Sequence, residues 1–486
     1  MHPPPATRPR PARPGRLLAV VTVGLLGSIL MSILPFAVGY LPPALNEWFH
    51  LHQPHLRQPA GRYTLRAAGA FGAAMLFWAW TEAHPTVLRP RTLHWGATAR
   101  RWFPRGLAAL WAAPMLLAPP LQTADPWAYA AQGWLLVEGR NPYEVPMGVI
   151  GPFAAGIFDS WLSTTAVYPP LSLYLQGQLV ELAGHHPYWS VVAMRAFPVL
   201  AMIIIALLVE PLAKDLRVNP QVAAWAVLLN PLVLTQYVGG AHNDALMSAL
   251  IVLALWLARR PGGLWWSMVA IGLAASIKQP AVLAGLGVAI HAAWPQVRDR
   301  DRPWLRLGLR VGAGGLVGGA VFLGVSFISG LGLGWANDTG GAPSLVISHT
   351  PLSWVAQLLI RGFGVDAGPV GLAISVVSAI VTIGAIAWAA RRLLPEQAVA
   401  FTAATLLAFG LLGAALQPWY PLWGGILLAW VRLPRRWAPI IMAAIGGLGV
   451  SAVLQEFWSP ALTVPLCTAL GYLWWRRFGR RLEEAL

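Results

Sequence analysis

The sequence predicts an all-α integral membrane protein with a multi-spanning fold, and its composition and charge pattern carry this prediction. Of its 486 residues, 57% are hydrophobic and only 11% are charged. Soluble domains contain about 25% charged residues, so this chain has too few charges to cover a surface exposed to water. A disulfide framework is excluded as well, because the chain has one cysteine.

Apolar runs long enough to cross a bilayer recur along the whole chain. A transmembrane helix needs about 20 mostly apolar residues, and somewhat fewer inside a bundle. By this criterion we expect about 12 to 14 transmembrane helices. The predicted spans are residues 17–39, 64–82, 105–121, 190–210, 222–238, 242–258, 264–277, 280–294, 308–329, 368–390, 397–416, 419–431, 438–455 and 460–475.

The positive charges divide the loops into two sets. Arginines precede the first run, and the positive-inside rule then predicts a cytoplasmic N-terminus and a cytoplasmic C-terminus in the cell membrane. With this orientation, the cytoplasmic loops and tails hold 27 of the 34 Lys and Arg residues. The net charge of +16 therefore reflects the loops beside the bilayer, and nucleic acid is not an expected partner.

The same pattern divides the chain into five parts, of which the large outer loop is expected to carry function. These parts are a disordered basic tail (1–16), N-terminal transmembrane helices (17–121), the outer loop with its juxtamembrane helices (122–189), a transmembrane bundle (190–476) and a cytoplasmic tail (477–486).

One apolar stretch in the outer loop, residues 167–184, is predicted not to cross the membrane. A crossing there would invert the charge pattern of every later loop. We expect instead a helix at the outer membrane surface, with Gln176, Gln178 and Glu181 facing water.

A second surface helix is predicted to begin at Asp125. Pro126 is favoured in a first helical turn, Gly139 should end the helix, and Asn141–Tyr143 is typical of a turn. Asp125 has two interpretations here. It is either a helix N-cap that accepts backbone N–H groups or a functional carboxylate at the membrane surface.

Three further polar clusters interrupt apolar runs on the same side. Gly239–Asp244 joins two spans, although a turn with a capping Asn or Asp would look similar. Lys278 interrupts an apolar stretch, although a lysine at a helix end can snorkel to the interface. Gln417–Pro421 also fits an aromatic belt. The polar side chains assigned to this outer level are Asp125, Arg195, His242, Asn243, Asp244, Lys278, Gln417 and Tyr420.

Such a set of side chains fits sugar transfer from a lipid phosphate. Aromatic rings and amides hold sugars, and cations hold phosphate. Phosphate is a good leaving group, so one base for the attacking hydroxyl would suffice, unlike the paired carboxylates of glycosidases. A transporter or flippase is the alternative from another class, but its polar residues should run through the membrane midplane.

Several segments together resemble the polyprenyl-phosphomannose-dependent α-1,6-mannosyltransferases of the multi-spanning type C glycosyltransferase (GT-C) superfamily. They follow the family order over roughly residues 105–430. The matching segments are Ala124–Gly133, Gly139–Tyr143, Tyr168–Leu171, Asn230–Pro231, Gly239–Asp244, Lys278–Pro280 and Gln417–Tyr420.

The resemblance implies a GT-C fold and an inverting transferase whose catalytic outer loop carries the general base, Asp125. Pro126 follows where the family often has a second acidic residue, and Glu144 or Asp159 are the candidates to supply it. The donor would be polyprenyl-phosphate-mannose, the acceptor a lipid-anchored, lipomannan-type α-1,6-mannan, and no metal or other cofactor is expected. Another polyprenyl-phosphate sugar, such as arabinose, is the alternative donor.

Roles for the other residues complete this hypothesis. We expect Lys278, His242 and Arg195 to contact the donor phosphate. We expect sugar or acceptor contacts from Tyr129, Gln132, Asn141, Tyr168, Asn243, Asp244, Gln417, Trp419 and Tyr420.

Overall fold

The computed structural model of the protein describes residues 14–36, 59–88, 95–336, 350–434, 437–454, 465–466, 468–473 and 476. Within these ranges the chain is helical and contains no strand. Residues 14–16, predicted as the end of a disordered tail, instead begin the first helix. The rest of that tail, the C-terminal tail 477–486 and half of the predicted span 460–475 lie outside the described residues.

The helices follow one another in three groups along the chain. The first group is α1 (Pro14–Ile33), α2 (Pro59–Glu82) and α3 (Ala97–Leu117). The second is α4 (Asp125–Val137), α5 (Pro170–Leu182) and α6 (Pro187–Ala193). The third is α7 (Ala196–Asp215), α8 (Pro220–Leu228), a π-helical segment (Val233–Gly239), α9 (Asp244–Leu257), α10 (Gly263–Ile277), α11 (Val282–Val297), α12 (Pro303–Ile328), α13 (Pro351–Gln357), α14 (Ala367–Leu393), α15 (Ala398–Leu412), α16 (Leu422–Gly425) and α17 (Ala438–Leu454).

Shorter turns of helix connect these elements. Two helices of four residues cover Pro85–Leu88 and Gly151–Ala154. A π-helical turn, Leu358–Gly362, extends α13. Turns of 3₁₀ helix cover Leu34–Phe36, Met147–Val149, Asp159–Trp161, Gln279–Ala281, Gly334–Ala336 and Ile426–Trp430.

Apolar helices long enough to cross a bilayer make this a multi-pass membrane protein. Five described helices pass by length and composition, and α8 with the π-helical segment makes a sixth if the pair is one span. Other predicted spans correspond to shorter apolar helices, such as α10 with 15 residues. The total of about 12 to 14 crossings stays a prediction. The five helices cover Gly15–Ile33, Pro187–Asp215, Gln279–Val297, Pro303–Ile328 and Ala367–Leu393.

The predicted span 222–238 contains a break that was not predicted, because the helix ends at Leu228 and the axis of the following segment turns by 52°. Pro231 has no backbone N–H and disfavours a helical conformation at the residue before it. Asn230 stabilises the break, since its Oδ1 accepts the N–H of Leu232 at 3.0 Å. The following π-helical segment leads directly into the loop at Gly239.

Both helices predicted for the membrane surface are present, but they are covered more deeply than expected. α4 is buried along most of its length because α5, α6 and the helix Gly151–Ala154 pack against it. α5 has 13 residues, fewer than the about 20 needed for a span. Gln178 and Glu181 are exposed as predicted. The prediction for Gln176 is wrong, since its side chain is buried.

Candidate active site

Asp125 is the first residue of α4, and its carboxylate does not cap the helix. Ala124 occupies the N-cap position, and no side chain accepts a capping hydrogen bond there. The backbone N–H of Asp125 itself donates to Thr123 Oγ1 at 3.1 Å. The N-cap interpretation of Asp125 is therefore wrong, and its carboxylate, in a side chain 5% exposed, needs another explanation.

The neighbours of this carboxylate come from α4 and from the loop between the π-helical segment and α9. Tyr129 OH donates to Asp125 Oδ2 at 3.2 Å. His242 Nδ1 lies 3.3 Å from the same oxygen, but its N–H is not aligned for a hydrogen bond. Asp125 Oδ1 has no hydrogen-bond partner among the described residues, so one carboxylate oxygen remains available to a ligand.

The environment of Asp125 favours the ionised form. Burial alone raises the pKa of the carboxyl group, but the contact with His242 and the charge of Lys278 outweigh burial and lower its pKa below the ordinary value. A buried aspartate that stays ionised near neutral pH is a base in a site from which water is largely excluded.

The loop Gly239–Asp244 holds His242 in place by close packing. A Cβ at Gly240 would lie 2.5 Å from the carbonyl oxygen of Gln236 and 2.9 Å from His242 Nε2, so this position requires glycine. Ala241 adopts a left-handed conformation with φ of +52°, which is uncommon for a residue with a side chain. The imidazole of His242 stacks on Trp419 with ring centroids 3.7 Å apart.

A buried ion pair lies beside this loop. Lys278 follows the last residue of α10, and its Nζ donates to Asp244 Oδ2 at 2.8 Å. Trp423 Nε1 donates to the other oxygen, Oδ1, at 2.6 Å. The snorkelling interpretation of Lys278 is wrong because its side chain is 9% exposed. The capping interpretation of Asp244 is also wrong, since both its oxygens bind other side chains.

Aromatic rings surround the ammonium group and connect it to Asp125. Lys278 Nζ lies 5.4 Å from the ring centroids of Tyr168 and Tyr420 and 5.7 Å from that of Trp423. Tyr168 packs edge-on against Tyr129 at 5.3 Å. Cations are attracted to the faces of aromatic rings at such distances, so the rings help to hold the charge within the protein.

Most of the residues predicted for the outer level therefore meet in one cluster in the structure. Asn243 belongs to it, because its Oδ1 accepts from Tyr129 OH at 3.4 Å and its Nδ2 donates to Ser172 Oγ at 3.1 Å. The predicted residues that the structure brings together are Asp125, Tyr129, Tyr168, His242, Asn243, Asp244, Lys278, Trp419 and Tyr420.

Four predicted residues make other contacts. Arg195 Nη2 donates to the carbonyl oxygens of Pro119 and Gly239, and its Nε and Nη1 have no partner within the described chain. Gln132 contacts the sulfur of Met147. Asn141 Nδ2 donates to Glu144, and the side chain of Gln417 makes no hydrogen bond or ion pair within the described structure. The sugar contacts of Gln132, Asn141 and Gln417 stay predictions. The distances are 3.2 Å from Arg195 to Pro119 O and 3.1 Å to Gly239 O, 4.0 Å from Gln132 to the Met147 sulfur, and 2.8 Å from Asn141 to Glu144 Oε1.

The second carboxylate of the cluster is Asp244. Glu144 and Asp159, the two candidates for this position, are exposed, and neither contacts Asp125 in the described structure. Sequence reasoning also missed Trp423, although its spacing of four residues from Trp419 would place both rings on one face of a helix. Ser172 and the amides Gln122 and Gln236 carried no signal beyond their polarity.

Together, the fold and the cluster define a class of protein: an all-helical, multi-pass membrane protein with a buried ionised carboxylate beside cations and aromatic rings. Comparison with known proteins makes this class specific. The profile of the family described as alpha-(1->6)-mannopyranosyltransferase, N-terminal domain, matches residues 21–294, which include Asp125, His242, Asp244 and Lys278. The chain belongs to this family, and it is a glycosyltransferase.

Individual relatives extend the similarity beyond the matched domain. Alpha-(1->6)-mannopyranosyltransferase A of Mycobacterium tuberculosis is 30% identical over 71% of this chain and 67% of its own length. The protein of the same name from Corynebacterium glutamicum is 26% identical over 63% of this chain, which spans 66% of that relative. A probable alpha-(1->6)-mannopyranosyltransferase of Mycolicibacterium smegmatis is 27% identical over 93% of this chain and 88% of its own length.

Proposed function

We propose that the protein transfers mannose from polyprenyl-phosphate-mannose to a growing, lipid-anchored α-1,6-mannan of the lipomannan type. The observation that carries this proposal is the buried carboxylate of Asp125, which contacts Tyr129 and His242 and keeps one oxygen without a partner in the described structure. The names of the relatives add the sugar and the linkage, because they state α-(1→6) mannopyranosyl transfer for those proteins.

Asp125 acts as the general base of the proposed reaction. An acceptor hydroxyl gives its proton to Asp125 Oδ1, and the hydroxyl oxygen attacks the anomeric carbon on the face opposite the phosphate. The bond between that carbon and the phosphate oxygen breaks, and polyprenyl phosphate leaves with the electron pair. A single displacement of this kind inverts the anomeric configuration. Phosphate leaves without a general acid, so one carboxylate suffices.

Basic side chains in and around the cluster would receive the donor phosphate. Lys278 uses one of its three N–H donors for Asp244 and retains the others. His242 Nε2 and two nitrogens of Arg195 have no partner among the described side and main chains. Charge-assisted hydrogen bonds from such groups to phosphate are roughly twice as strong as neutral ones, which supports assigning the phosphate to this side of the cluster.

Aromatic rings and amides beside the base would hold the sugars. Tyr129, Tyr168, Trp419 and Tyr420 supply ring faces and edges, and Asn243 supplies an amide within the cluster. Binding sites for small molecules combine such apolar walls with a few polar groups. The active site is proposed to face outward, as the charge pattern of the loops predicts.

The test of this function is transfer by purified protein with a panel of polyprenyl-phosphate sugars, mannose and arabinose included, and an α-1,6-mannoside acceptor. Mannose should be transferred, and the Asp125→Asn variant should lose at least about a hundredfold in turnover, since general bases contribute about 10²–10⁴-fold. We expect the parent rate to persist in the presence of a metal chelator, because protein cations neutralise the phosphate.

Asp159→Asn is the matched control, because Asp159 is an exposed aspartate on the same segment outside the membrane spans. It should retain the parent rate. Turnover by Asp125→Asn within a few-fold of the parent would exclude Asp125 as the base. Transfer of arabinose without mannose would exclude the proposed donor, and activity that needs Mg²⁺ or Mn²⁺ after chelation would exclude the metal-independent reaction.

A further inference from the structure

Two buried glutamines lie in the chain segments that lead into Asp125 and into the loop of His242. Gln122 precedes α4, and Gln236 lies in the π-helical segment. Gln236 Nε2 donates to Gln122 Oε1 at 2.6 Å, and the two residues are 1% and 7% exposed, respectively. The remaining polar atoms, Gln122 Nε2 and Gln236 Oε1, have no partner among the described residues. The pair thus keeps one donor and one acceptor unused.

The unused donor and acceptor do not depend on how the two amides are turned. Turning a glutamine amide by 180° exchanges the positions of its oxygen and its nitrogen. A hydrogen bond between two amides always uses one N–H and one carbonyl oxygen, so an NH₂ group and a carbonyl oxygen remain in either orientation. Unsatisfied buried polar groups cost free energy, which hydrogen bonds to a ligand would offset.

The position of the pair links it to the reacting groups. Gln122 lies three residues before Asp125 in the chain. A Cβ at Gly240 would lie 2.5 Å from the carbonyl oxygen of Gln236 and 2.8 Å from Cδ2 of His242, so the backbone of Gln236 and the imidazole pack against the same glycine. Gln122 also has a φ of +59°, a left-handed conformation that costs free energy in a residue with a side chain and that is concentrated at functional sites.

We propose that Gln122 and Gln236 form a subsite for neighbouring hydroxyl groups of a hexose ring. A hydroxyl donates and accepts at once, so two adjacent hydroxyls match one free amide N–H and one free amide oxygen. The pair carries no charge, which suits a sugar ring better than a phosphate. This inference rests on the proposed function, and the hydroxyls belong either to the transferred mannose or to the terminal sugar of the acceptor.

The test combines enzyme variants with substrates that lack single hydroxyl groups. Gln236→Met removes the amide while keeping a similar side-chain length. It should lower kcat/KM for complete substrates by roughly 5- to 100-fold, because a bound hydroxyl loses its partner. The monodeoxy analogue that lacks the contacted hydroxyl should lose a similar factor with the parent protein and little with the variant. Whether that analogue is a donor or an acceptor identifies the source of the hydroxyls.

Thr235→Val is the matched control, since Thr235 is equally buried in the same segment and its hydroxyl donates to Pro231 O at 2.8 Å. It should retain the parent selectivity. If Gln236→Met does not fold, the double variant Gln122→Met/Gln236→Met serves, because replacing both partners by apolar groups can be nearly neutral for stability.

The outcome that overturns the subsite is an equal loss for every deoxy analogue in the parent and in the variant. Failure of the proposed function looks different, because the parent protein itself would then transfer no mannose. The same comparison would in that case use the sugar that the parent does transfer.

Discussion

At the scale of single residues, the balance of charges around Asp125 determines how the protein responds to acid. The pKa of this carboxyl group is lowered because His242 and Lys278 outweigh its burial. The ionised carboxylate therefore stabilises the folded protein fully at pH values above the ordinary pKa of an aspartate. This stabilisation is lost as the pH falls through the lowered pKa of the folded protein. The proposed catalytic base is lost over the same range, because protonation removes it.

We predict that protonation of Asp125 does not lower kcat/KM until the pH falls below the ordinary pKa of an aspartate, 3.8. His242→Gln should move this acid limb to higher pH, because burial then acts with less opposition. Rate measurements over a pH series would check both expectations, with Asp159→Asn as a variant whose limb should not move. An unchanged limb in His242→Gln would contradict this account of the charge balance.

The ion pair of Lys278 and Asp244 predicts a difference between stability and activity. Lys278→Met should cost about 3–5 kcal/mol of unfolding free energy, because it leaves Asp244 charged and buried. The double variant Lys278→Met/Asp244→Asn should recover much of that loss, since it removes both charges and keeps an acceptor for Trp423. Thermal unfolding in detergent would measure the cycle.

Transfer assays on the same variants separate support of the fold from binding of phosphate. If Lys278 contacts the donor, the double variant should remain about ten- to a hundredfold weaker in kcat/KM for the donor, the range expected for bonds to charged groups. Recovery of both stability and full donor use would reduce Lys278 to a structural role.

The sequence predicted most of the side chains that form the cluster around Asp125, but it did not predict which of these side chains bind each other. Asp125, His242 and Lys278 were found because they interrupt apolar segments at one level. The bond between Lys278 and Asp244, 34 residues apart, could not be predicted, because it depends on how far α9 and α10 are offset. Neither partner's sequence neighbourhood contains that information.

At the scale of elements, the contact between α4 and α5 determines where Asp125 lies. Gly133 of α4 faces the backbone of α5, and a Cβ there would lie 2.6 Å from the carbonyl carbon of Gln176 and 2.8 Å from the N of Gly177. Backbone atoms cannot turn aside as a flexible side chain can, so a larger residue must push the two helices apart.

We predict that Gly133→Ala destabilises the protein by roughly 1–3 kcal/mol and lowers turnover as α4 shifts. Gly177→Ala is its matched control, because a Cβ there would meet its nearest atom at an ordinary 3.4 Å. Alanine at that position should gain up to about 1 kcal/mol through helix propensity. Thermal unfolding and turnover of the two variants give the comparison, and equal behaviour would exclude a close contact between the helices.

Some elements with an uninterrupted apolar pattern were predicted almost to the residue, whereas others are displaced: the span predicted over 105–121 corresponds to α3, Ala97–Leu117. The span predicted over 264–277 is α10, Gly263–Ile277. The break at Pro231 and the burial of α4 were not predicted. When apolar residues lie on all sides of a helix, the sequence does not show which sides will be buried by neighbouring segments. α4 is buried by segments of the outer loop, and the path of that loop could not be predicted from the sequence.

At the scale of the whole molecule, the charge pattern predicts that Asp159 lies outside the cell and Arg300 lies in the cytoplasm. Both side chains are exposed, so cysteines placed there should react readily. The test labels single cysteines in intact cells with a reagent that does not cross membranes, in a background where the one native cysteine, Cys467, is replaced by serine. Position 159 should react and position 300 should not; labelling of both from the same side would contradict the orientation.

One oxygen atom links the two loops that carry Asp125 and His242. The carbonyl of Gly239 accepts the N–H of Leu121 at 3.0 Å and a guanidinium N–H of Arg195 at 3.1 Å. The segment before Asp125 and the segment before His242 are therefore held together by hydrogen bonds to the same carbonyl oxygen. We therefore expect the loop of Asp125 and the loop of His242 to open together rather than independently. The rate of deuterium exchange at the amide of Leu121 would report how often this opening occurs.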